Sequence, residues 1–266
     1  IIGGGLIGLE IAAAARKRGA EVDVFEAASR VLNRGVPQAL GNLLAAEHRT
    51  NGVRIHLDAG LAGIDWSDAG AMLTFADGTA SRADVVIAAI GVAPRTALAE
   101  EAGLAIGNGI VADDCLRCSD TIFAAGDCVA FDHPLFNRRM RLESWDAAAD
   151  LGAIAGRNMA GSPQSVDFVP WMWSDQYELG LYIAGVPDAG SETIIRRTEG
   201  GPTVLFHLDA DGRLMGASGI GHQTSAARDL RIARRLIAQR ATPPPTLLAD
   251  PGQSLKALLV REPAAT

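Results

Sequence analysis

The stretch Ile1-Ile2-Gly3-Gly4-Gly5-Leu6-Ile7-Gly8 decides the fold of this chain, because a Gly-x-Gly-x-x-Gly sequence follows two β-branched residues directly. An Ala-rich segment comes next, with basic residues at its end and Gly19 beyond it, which predicts a helix over residues 6–18. Residues 21–26 alternate between acidic and apolar side chains and predict a strand. Strand, glycine turn, helix and strand in this order predict a βαβ nucleotide-binding unit.

Each glycine of the turn has a physical role in this prediction. Gly3 permits the tight turn, Gly5 lets the backbone approach a pyrophosphate, and Gly8 lets the helix pack closely on the strand. The helix N-terminus offers N–H groups and a positive dipole end to the phosphates. We therefore expect the turn, including the intervening Leu6 and Ile7, to bind a dinucleotide.

Glu26 ends the second predicted strand and is suited to bind a ribose. Its carboxylate can accept hydrogen bonds from the 2′- and 3′-hydroxyls and would repel a 2′-phosphate. The next residues, Ala27-Ala28-Ser29, provide no cation for such a phosphate. We therefore predict that NADH is preferred over NADPH. Arg30 has two interpretations, a cover for the adenine or a solvated surface arginine.

Two further positions of this unit are candidates for contact with the nicotinamide. Glu10 lies on an apolar part of the first helix, where a carboxylate is costly unless it is paired or hydrated. It would face the nicotinamide or a cation on the flavin side, or else it is an exposed surface residue. Ile90-Gly91 ends a Val- and Ile-rich run, predicted to be a buried strand over residues 83–90, at the sheet edge where ligands bind. The alternative for Gly91 is a plain turn.

The rest of the chain indicates further α/β organisation. The pattern predicts helices over residues 37–49, 96–102, 145–159 and 224–239, a β-meander over 61–82, and a strand-rich region after Ser165. A strand of small residues ends in Gly126-Asp127, where the glycine removes side-chain bulk and the carboxylate can bind a sugar-like hydroxyl. That pair is a second nucleotide signal when it follows a Gly-x-Gly-x-x-Gly turn.

Composition excludes several classes of protein. The net charge of −7 disfavours nucleic acid as the main partner, and no apolar run reaches the roughly 18 residues of a membrane helix. The five histidines show no metal-ligand spacing, so no metal site is predicted. Three cysteines are too few for a disulfide scaffold and favour a reducing, cytoplasmic compartment. The chain begins inside a motif, from which we expect that an upstream segment is missing.

Several motifs together resemble one family. They are the Gly3–Glu10 stretch, Gly91-x-x-Pro94, Cys118–Asp127, Glu143-Ser-Trp145 and Pro170–Gln176, in this order. The set is similar to the FAD-dependent pyridine-nucleotide oxidoreductases, and specifically to the ferredoxin reductase components of bacterial aromatic-ring dioxygenase and P450 systems. The resemblance covers essentially the whole chain.

The resemblance implies an α/β fold with three parts. Residues 1–107 would be a doubly wound, Rossmann-type NAD domain, residues 108–165 the second half of a split FAD domain, and residues 166–266 a small α+β C-terminal domain. Asp127 would hold the flavin ribityl chain, while Glu143 and Trp145 would lie beside the isoalloxazine and Glu10 near the nicotinamide. The first FAD half is not in the sequence, so we expect the chain to bind NADH better than FAD. Leu6 and Arg95 depart from the aromatic residue and the asparagine common in the family.

The resemblance also implies a function, electron transfer from NADH through FAD to a [2Fe–2S] ferredoxin in the catabolism of aromatic hydrocarbons. Two alternatives stay open, another NADH-dependent flavoprotein such as an NADH oxidase or a disulfide reductase, and a nucleotide-binding module without turnover. Cys115-x-x-Cys118 suggests a redox pair, but residues i and i+3 of an extended strand point to opposite faces, so we expect structural cysteines.

Two surface features bear on a protein partner. Arg228, Arg231 and Arg235 share one face of the predicted helix over residues 224–239. This face would attract an acidic ferredoxin, or it is simply solvated. Trp171 and Trp173 have two interpretations as well, core residues of the last domain, which we favour, or anchors for a partner.

Overall fold

The computed structural model describes residues 1–260, which contain both helices and strands. The helices are α1 Leu6–Lys17, α2 Gln38–Thr50, α3 Ala97–Glu101, α4 Trp145–Met159, α5 Ala227–Ala238 and α6 Pro245–Ala249. The strands are β1 Asp23–Phe25, β2 Arg54–His56, β3 Leu61–Ser67, β4 Gly70–Phe75, β5 Ala80–Ala83, β6 Ile106–Gly107, β7 Gly109–Ala112, β8 Val129–His133, β9 Arg138–Met140, β10 Trp171–Gln176, β11 Leu179–Gly185, β12 Glu192–Arg197, β13 Thr203–Leu208 and β14 Leu214–His222.

The chain divides into two compact units. The first comprises Ile1–Val92, Ser174–Leu181 and Ile220–Thr224. The second comprises Ala93–Trp173, Tyr182–Gly219 and the described residues from 225 to 260. The end of the β10–β11 hairpin therefore belongs to the first unit, although it comes from the part of the sequence expected to form the last domain.

The first unit is built on parallel strand pairing. Ile2 forms parallel bridges with Phe25 and with Ala88, and β1 pairs with β2 in parallel. Helix α1 connects Ile2 to β1 and ends as predicted, with Gly19 at a φ of 85° and its N–H bonded to the carbonyl of Arg16. The predicted βαβ unit is thus confirmed.

The predicted β-meander is also confirmed. Strands β3, β4 and β5 form an antiparallel sheet in that order. Alternate residues of β4 are buried with Ile2 and Phe25, so this sheet covers one side of the parallel strands. On α1 and α2, Leu9, Leu40 and Leu44 are almost fully buried.

The second unit contains a four-stranded sheet in the order β6-β7-β8-β9, with β7 and β8 parallel. Helix α4 packs on it through Leu151 and Ile154, which are buried with Phe131 and Val129. The predicted bounds of this helix are confirmed, and Ser144 caps its first turn by accepting a hydrogen bond from the N–H of Ala147 at 3.4 Å.

The strand-rich region after Ser165 is confirmed as a five-stranded sheet in the order β10-β11-β14-β13-β12. Within the second unit, α5 buries Leu230 and Leu236 together with Val204, Phe206 and other side chains of β13 and β14. The opposite face of α5 carries arginines. This amphipathic division explains why the helix forms from a sequence rich in charge.

The predicted buried strand over residues 83–90 is wrong in two respects. Beyond Ala83, which ends β5, the segment forms only an isolated bridge through Ala88 to Ile2, and Val85 and Ile90 are 72 % and 73 % exposed. Among the described residues, its bridge partner is Ile2 alone. A single paired residue cannot form the continuous hydrogen bonding of a strand. Apolar composition indicated burial here, but composition does not provide a partner strand.

The predicted strand before Asp127 is wrong as well. Phe123 forms a single bridge with Arg117, and Gly126–Cys128 is a turn of 3-10 helix. Cys115 and Cys118 are not on an extended strand either, because Leu116 between them has a φ of 63°. All three cysteines are free, and their structural role stays a prediction.

The two tryptophans of β10 differ in their environment. Trp171 is half-buried and packs against Tyr182, with the guanidinium of Arg234 5.9 Å from its ring centre. Trp173 is 42 % exposed, so the core interpretation is wrong for this residue. The two side chains point to the same side of the strand by their spacing, but only the first lies over the core.

Candidate functional site

The glycine turn of the first unit is tightly packed on one side and open on the other. A Cβ at Gly3, whose φ is 103°, would lie 2.3 Å from the carbonyl oxygen of Ala89, and a Cβ at Gly8 would lie 2.1 Å from the carbonyl oxygen of Gly3. A Cβ at Gly5 would have nothing within 4 Å. The backbone is therefore closely packed at Gly3 and Gly8 and accessible at Gly5, as a ligand-binding turn requires.

The open side of the turn is also the N-terminus of α1. Gly5 is the N-cap residue and has no side chain to bind the first N–H groups, and no acidic residue lies in the first turn. Within the described part of the chain, the N–H groups of Leu6, Ile7 and Gly8 donate to no backbone or side-chain acceptor. Unpaired donors at a helix N-terminus form an anion site, which fits the pyrophosphate of a dinucleotide.

The carboxylate of Glu26 is held beside this turn. Its Oε2 accepts a hydrogen bond from the N–H of Gly4 at 2.7 Å, and its Oε1 accepts one from the N–H of Ala28 at 2.8 Å. A carboxylate oxygen has room for a second hydrogen bond, so both oxygens can still accept from a ribose diol. A larger residue at Gly4 would displace side chains here, since a Cβ would lie 2.9 Å from Val31 and 3.2 Å from Glu26.

Arg30 is half-buried rather than freely solvated, and its contact with the adenine stays a prediction. Its guanidinium donates to the carbonyl oxygens of Leu32, Val36 and Asn33 at 2.9, 3.2 and 3.1 Å, and thereby ties down its own loop. A different arginine that the sequence did not single out, Arg34, lies beside Gly91. A Cβ at Gly91 would be 3.2 Å from its Nη2.

Glu10 and the Ile90-Gly91 pair both lie in the first unit, and their contact with the nicotinamide stays a prediction. Glu10 is exposed on α1, and its Oε1 accepts a 2.5 Å hydrogen bond from Ser174. Gly91 has a φ of 100°, which requires glycine, and Ile90 is exposed. The sequence did not indicate Ser174, because the hydrogen-bond partner of a serine in a strand cannot be predicted from the residues around it.

A second cluster lies in the second unit, where α4 packs on the turn Gly126–Cys128. Gly126 has a φ of 79° and open space at its Cβ position, and the Asp127 side chain is exposed. Trp145, the first residue of α4, is 78 % exposed, which is unusual for so large an apolar side chain. An exposed indole can stack on a planar ligand.

Arg141 connects this cluster and was missed in the sequence. It forms an ion pair with Glu143, donates to the carbonyl oxygen of Asp127 at 3.0 Å, and bonds Asn108 at 3.3 Å. Only 11 % of its side chain is exposed. Its role follows from strand β9 ending next to the turn, which sequence spacing did not reveal.

Cys118 lies in an environment that disfavours its reactive thiolate form. Burial raises the pKa of the Cys118 thiol, and the nearby Asp113 carboxylate acts in the same direction. Asp113, Asp114 and Cys115 bring ligand atoms within 4.8 Å of one another, but Asp113 accepts hydrogen bonds from the N–H groups of Cys115 and Arg117, both at 2.9 Å. These contacts stabilise a turn, and the absence of a metal site stays a prediction.

Among the described residues, no helix is both long and apolar enough to cross a lipid bilayer.

Comparison with known proteins defines the class to which this geometry belongs. The model of the pyridine nucleotide-disulphide oxidoreductase family matches residues 1–152, more than half of the chain, and a reductase C-terminal domain model matches residues 171–259. The chain therefore belongs to the pyridine nucleotide-disulphide oxidoreductase family.

Its relatives are more specific. The chain is 39 % identical to the ferredoxin–NAD(+) reductase component of the anthranilate 1,2-dioxygenase system of Burkholderia cepacia, over 97 % of this chain and 63 % of that protein. It is 33 % identical to putidaredoxin reductase of Pseudomonas putida, over 97 % and 61 %. The crystal structure of the ferredoxin reductase for the CYP199A2 system of Rhodopseudomonas palustris superposes with a TM-score of 0.90 at 32 % identity, over 97 % of this chain and 64 % of that one. The chain thus spans just under two thirds of the length of these relatives.

Proposed function

We propose that the protein containing this chain carries electrons from NADH through FAD to a [2Fe–2S] ferredoxin, as the reductase component of a dioxygenase or P450 system that degrades aromatic compounds. One observation carries the proposal. In the first unit, the glycine turn leaves the N–H groups at the start of α1 free while the Glu26 carboxylate is bound to the N–H of Gly4. That pairing offers a phosphate site and a ribose site on one stretch of backbone.

The chain's own residues bind and orient the nucleotide. The N–H groups of the α1 terminus take the pyrophosphate, and both Glu26 oxygens accept from the adenosine ribose, which leaves no room for a 2′-phosphate. Gly91 lets the nicotinamide ribose pass the backbone, with Leu6, Ile7 and Ile90 as apolar neighbours and Glu10 as its polar one. Arg34 is a further cation for the phosphates, and this role was not expected from the sequence.

The second unit fits one side of a flavin. Gly126 leaves open space for a ribityl chain, Asp127 accepts from its hydroxyls, and Trp145 stacks near the ring. Arg141 fixes Glu143 at the same site. When bound, the two cofactors supply hydride and single-electron chemistry, so the protein has to orient the rings and exclude water rather than provide a nucleophile.

The ferredoxin would bind at the arginine face of α5. Arg228, Arg231 and Arg235 are exposed, and within the described part of the chain they form no ion pair or hydrogen bond. Arg234, which is half-buried, is instead held by Asp146 at 3.4 Å and by the carbonyl oxygen of Val169 at 2.9 Å. Three unpaired cations on a chain of net charge −7 are suited to attract an acidic partner.

The division of the chain that accompanies this function is a proposal too. Residues 1–107 would form the NAD domain, 108–165 the second half of the FAD domain and 166–266 the C-terminal domain, of which residues 261–266 lie outside the described part. The free cysteines favour a cytoplasmic protein. A disulfide reductase is disfavoured, because the raised pKa of Cys118 keeps its thiol protonated and unreactive.

Steady-state reduction of an acidic [2Fe–2S] ferredoxin tests the proposal. The protein at its full natural length, with FAD, should reduce the ferredoxin with NADH and far more slowly with NADPH. Oxidation of NADH without any transfer to a ferredoxin would instead support an NADH oxidase. Nucleotide binding without any turnover would support the binding module.

A further inference from the structure

Three polar side chains are buried almost completely in the first unit. His48 is 0 %, Gln176 is 1 % and Ser174 is 2 % exposed. Each would cost folding free energy if it were left without hydrogen bonds. His48 lies on α2, while the other two alternate on β10 with the exposed Asp175 between them. The function proposed above assigns no role to any of them.

These side chains form one continuous hydrogen-bonded chain. The hydroxyl of Tyr177 lies 3.3 Å from Nδ1 of His48, and Nε2 of His48 lies 2.7 Å from Oε1 of Gln176. Nε2 of Gln176 donates to Oγ of Ser174 at 3.0 Å, and Oγ of Ser174 donates to Oε1 of Glu10 at 2.5 Å. The series of hydrogen bonds thus ends at the carboxylate of Glu10 on α1.

The donors and acceptors allow only one direction of donation along this series of hydrogen bonds, from Tyr177 towards Glu10. Burial lowers the pKa of His48, so its ring is neutral and carries one proton. The carbonyl oxygen of Gln176 can only accept, which puts that proton on Nε2 and leaves Nδ1 to accept from Tyr177. Ser174 already accepts from the amide of Gln176, so its own hydrogen is committed to Glu10.

Glu10 is the exposed end of this series of hydrogen bonds. It shares one face of α1 with Ile7, Ile11 and Ala14, two residues beyond the last glycine of the turn. While Oε1 is bound to Ser174, Oε2 has no hydrogen bond or ion pair within the described part of the chain. One oxygen is therefore fixed from the protein side, and the other is free to accept from a ligand.

We propose that Ser174, Gln176 and His48 are positioning residues, which fix the Glu10 carboxylate so that its free oxygen is oriented to accept a hydrogen bond from the bound dinucleotide. The inference rests on the proposed function, since it needs a dinucleotide on the glycine turn. It adds that the β10–β11 hairpin sets nucleotide affinity without touching the nucleotide.

A double-mutant cycle tests this role, because a residue that acts through Glu10 loses its effect once Glu10 is changed. The ligand is tetrahydro-NAD, a reduced analogue that cannot donate hydride, titrated calorimetrically into the protein at its full natural length. We expect Ser174→Ala to raise Kd about fivefold, because a Glu10 side chain that is no longer fixed has to be ordered when the ligand binds. In a Glu10→Ala background, which removes the acceptor of Ser174, the same change should leave Kd unaltered.

Two variants exclude a purely structural effect. Gln176→Met keeps the length of the side chain, removes its hydrogen bonds and should also raise Kd only when Glu10 is present. Ser165→Ala removes a similar serine–carboxylate bond, 2.8 Å to Asp114 in the second unit, and should leave Kd unchanged. The melting temperature of each variant shows that it is folded.

The outcomes separate the two proposals. The positioning role is overturned if Ser174→Ala changes Kd equally with and without Glu10, or changes it in neither background. Nucleotide binding itself would still stand in both cases. A protein that binds no reduced dinucleotide at all overturns the proposed function and this inference with it.

Discussion

The carboxylate of Glu26 accepts a hydrogen bond from the N–H of Gly4 at 2.7 Å, which connects the end of β1 to the middle of the glycine turn. This contact orients the carboxylate without using up its acceptor capacity. The residue proposed to bind the ribose is therefore positioned by the same backbone that is proposed to bind the phosphates. Nucleotide choice and phosphate binding are expected to depend on one another.

Glu26→Ala should weaken NADH binding about tenfold, as expected when hydrogen bonds to a charged group are lost, and should affect NADPH less. The Kd for NADPH divided by the Kd for NADH, both measured by titration, would therefore fall. Glu21→Ala is a matched control, because that carboxylate is 83 % exposed and forms only an ion pair with Arg54. An unchanged ratio in Glu26→Ala would remove Glu26 from the specificity site.

Two glycines of the turn should respond differently to alanine. Gly8→Ala introduces a Cβ 2.1 Å from the carbonyl oxygen of Gly3, so we expect a loss of about 3 kcal/mol in unfolding free energy. Gly5→Ala meets no neighbour and has an ordinary φ of −76°, so it should fold normally and weaken NADH binding by obstructing the open side. Thermal unfolding and nucleotide titration of both variants distinguish the roles. Equal stability losses would contradict the assignment.

Neutralising the α5 face should affect the ferredoxin and not the nucleotide. The triple change of Arg228, Arg231 and Arg235 to Gln should raise the KM for a [2Fe–2S] ferredoxin about tenfold at low salt and flatten its dependence on ionic strength. The KM for NADH should stay the same. Arg139→Gln is the control, since that exposed arginine is paired with Asp132 at 2.8 Å. A ferredoxin KM that does not respond would exclude this face as the docking site.

Stability in acid should depend on His207, whose pKa burial lowers to about 4. Its Nε2 lies 2.9 Å from Oγ of Ser218 and its Nδ1 3.2 Å from Oγ1 of Thr193. Between pH 6.5 and 4 the unfolded chain binds a proton that the folded one does not, so stability falls as the pH falls. The loss would be about 3 kcal/mol for a shift of this size.

His207→Gln should remove that part of the acid sensitivity. Urea unfolding at pH 7 and at pH 4.5 gives the comparison, and the difference between the two pH values should be smaller in the variant. His48 and His133 also have pKa values lowered by burial, so part of the loss will persist. Identical pH dependence in both proteins would mean that His207 is not buried as a neutral ring.

The first unit was predictable where local chemistry determined it. The glycine turn, α1 and the meander follow from residues close together in sequence, and Glu26 follows from the length of one βαβ unit. The run over residues 83–90 was mispredicted, because apolar residues indicate burial only if another strand lies beside them. The helix bounds of α4 were right since Ser144 provides a cap at its start.

The contacts of the site were not predictable in the same way. Ser174 reaches Glu10 across 164 sequence positions, and Arg141 reaches Asp127 through the path of β9. Neither pair has a spacing rule that a single sequence reveals. Arg30 was ambiguous because its partners are carbonyl oxygens of its own loop, which carry no side-chain signal.

The visible spectrum of the protein at its full natural length, recorded anaerobically before and after one equivalent of NADH, tests the central proposal most directly. The account predicts a flavin band that NADH bleaches, that NADPH bleaches much more slowly, and that returns when oxidised [2Fe–2S] ferredoxin is added. A flavin band that NADH leaves unchanged, or a protein without flavin, would contradict it.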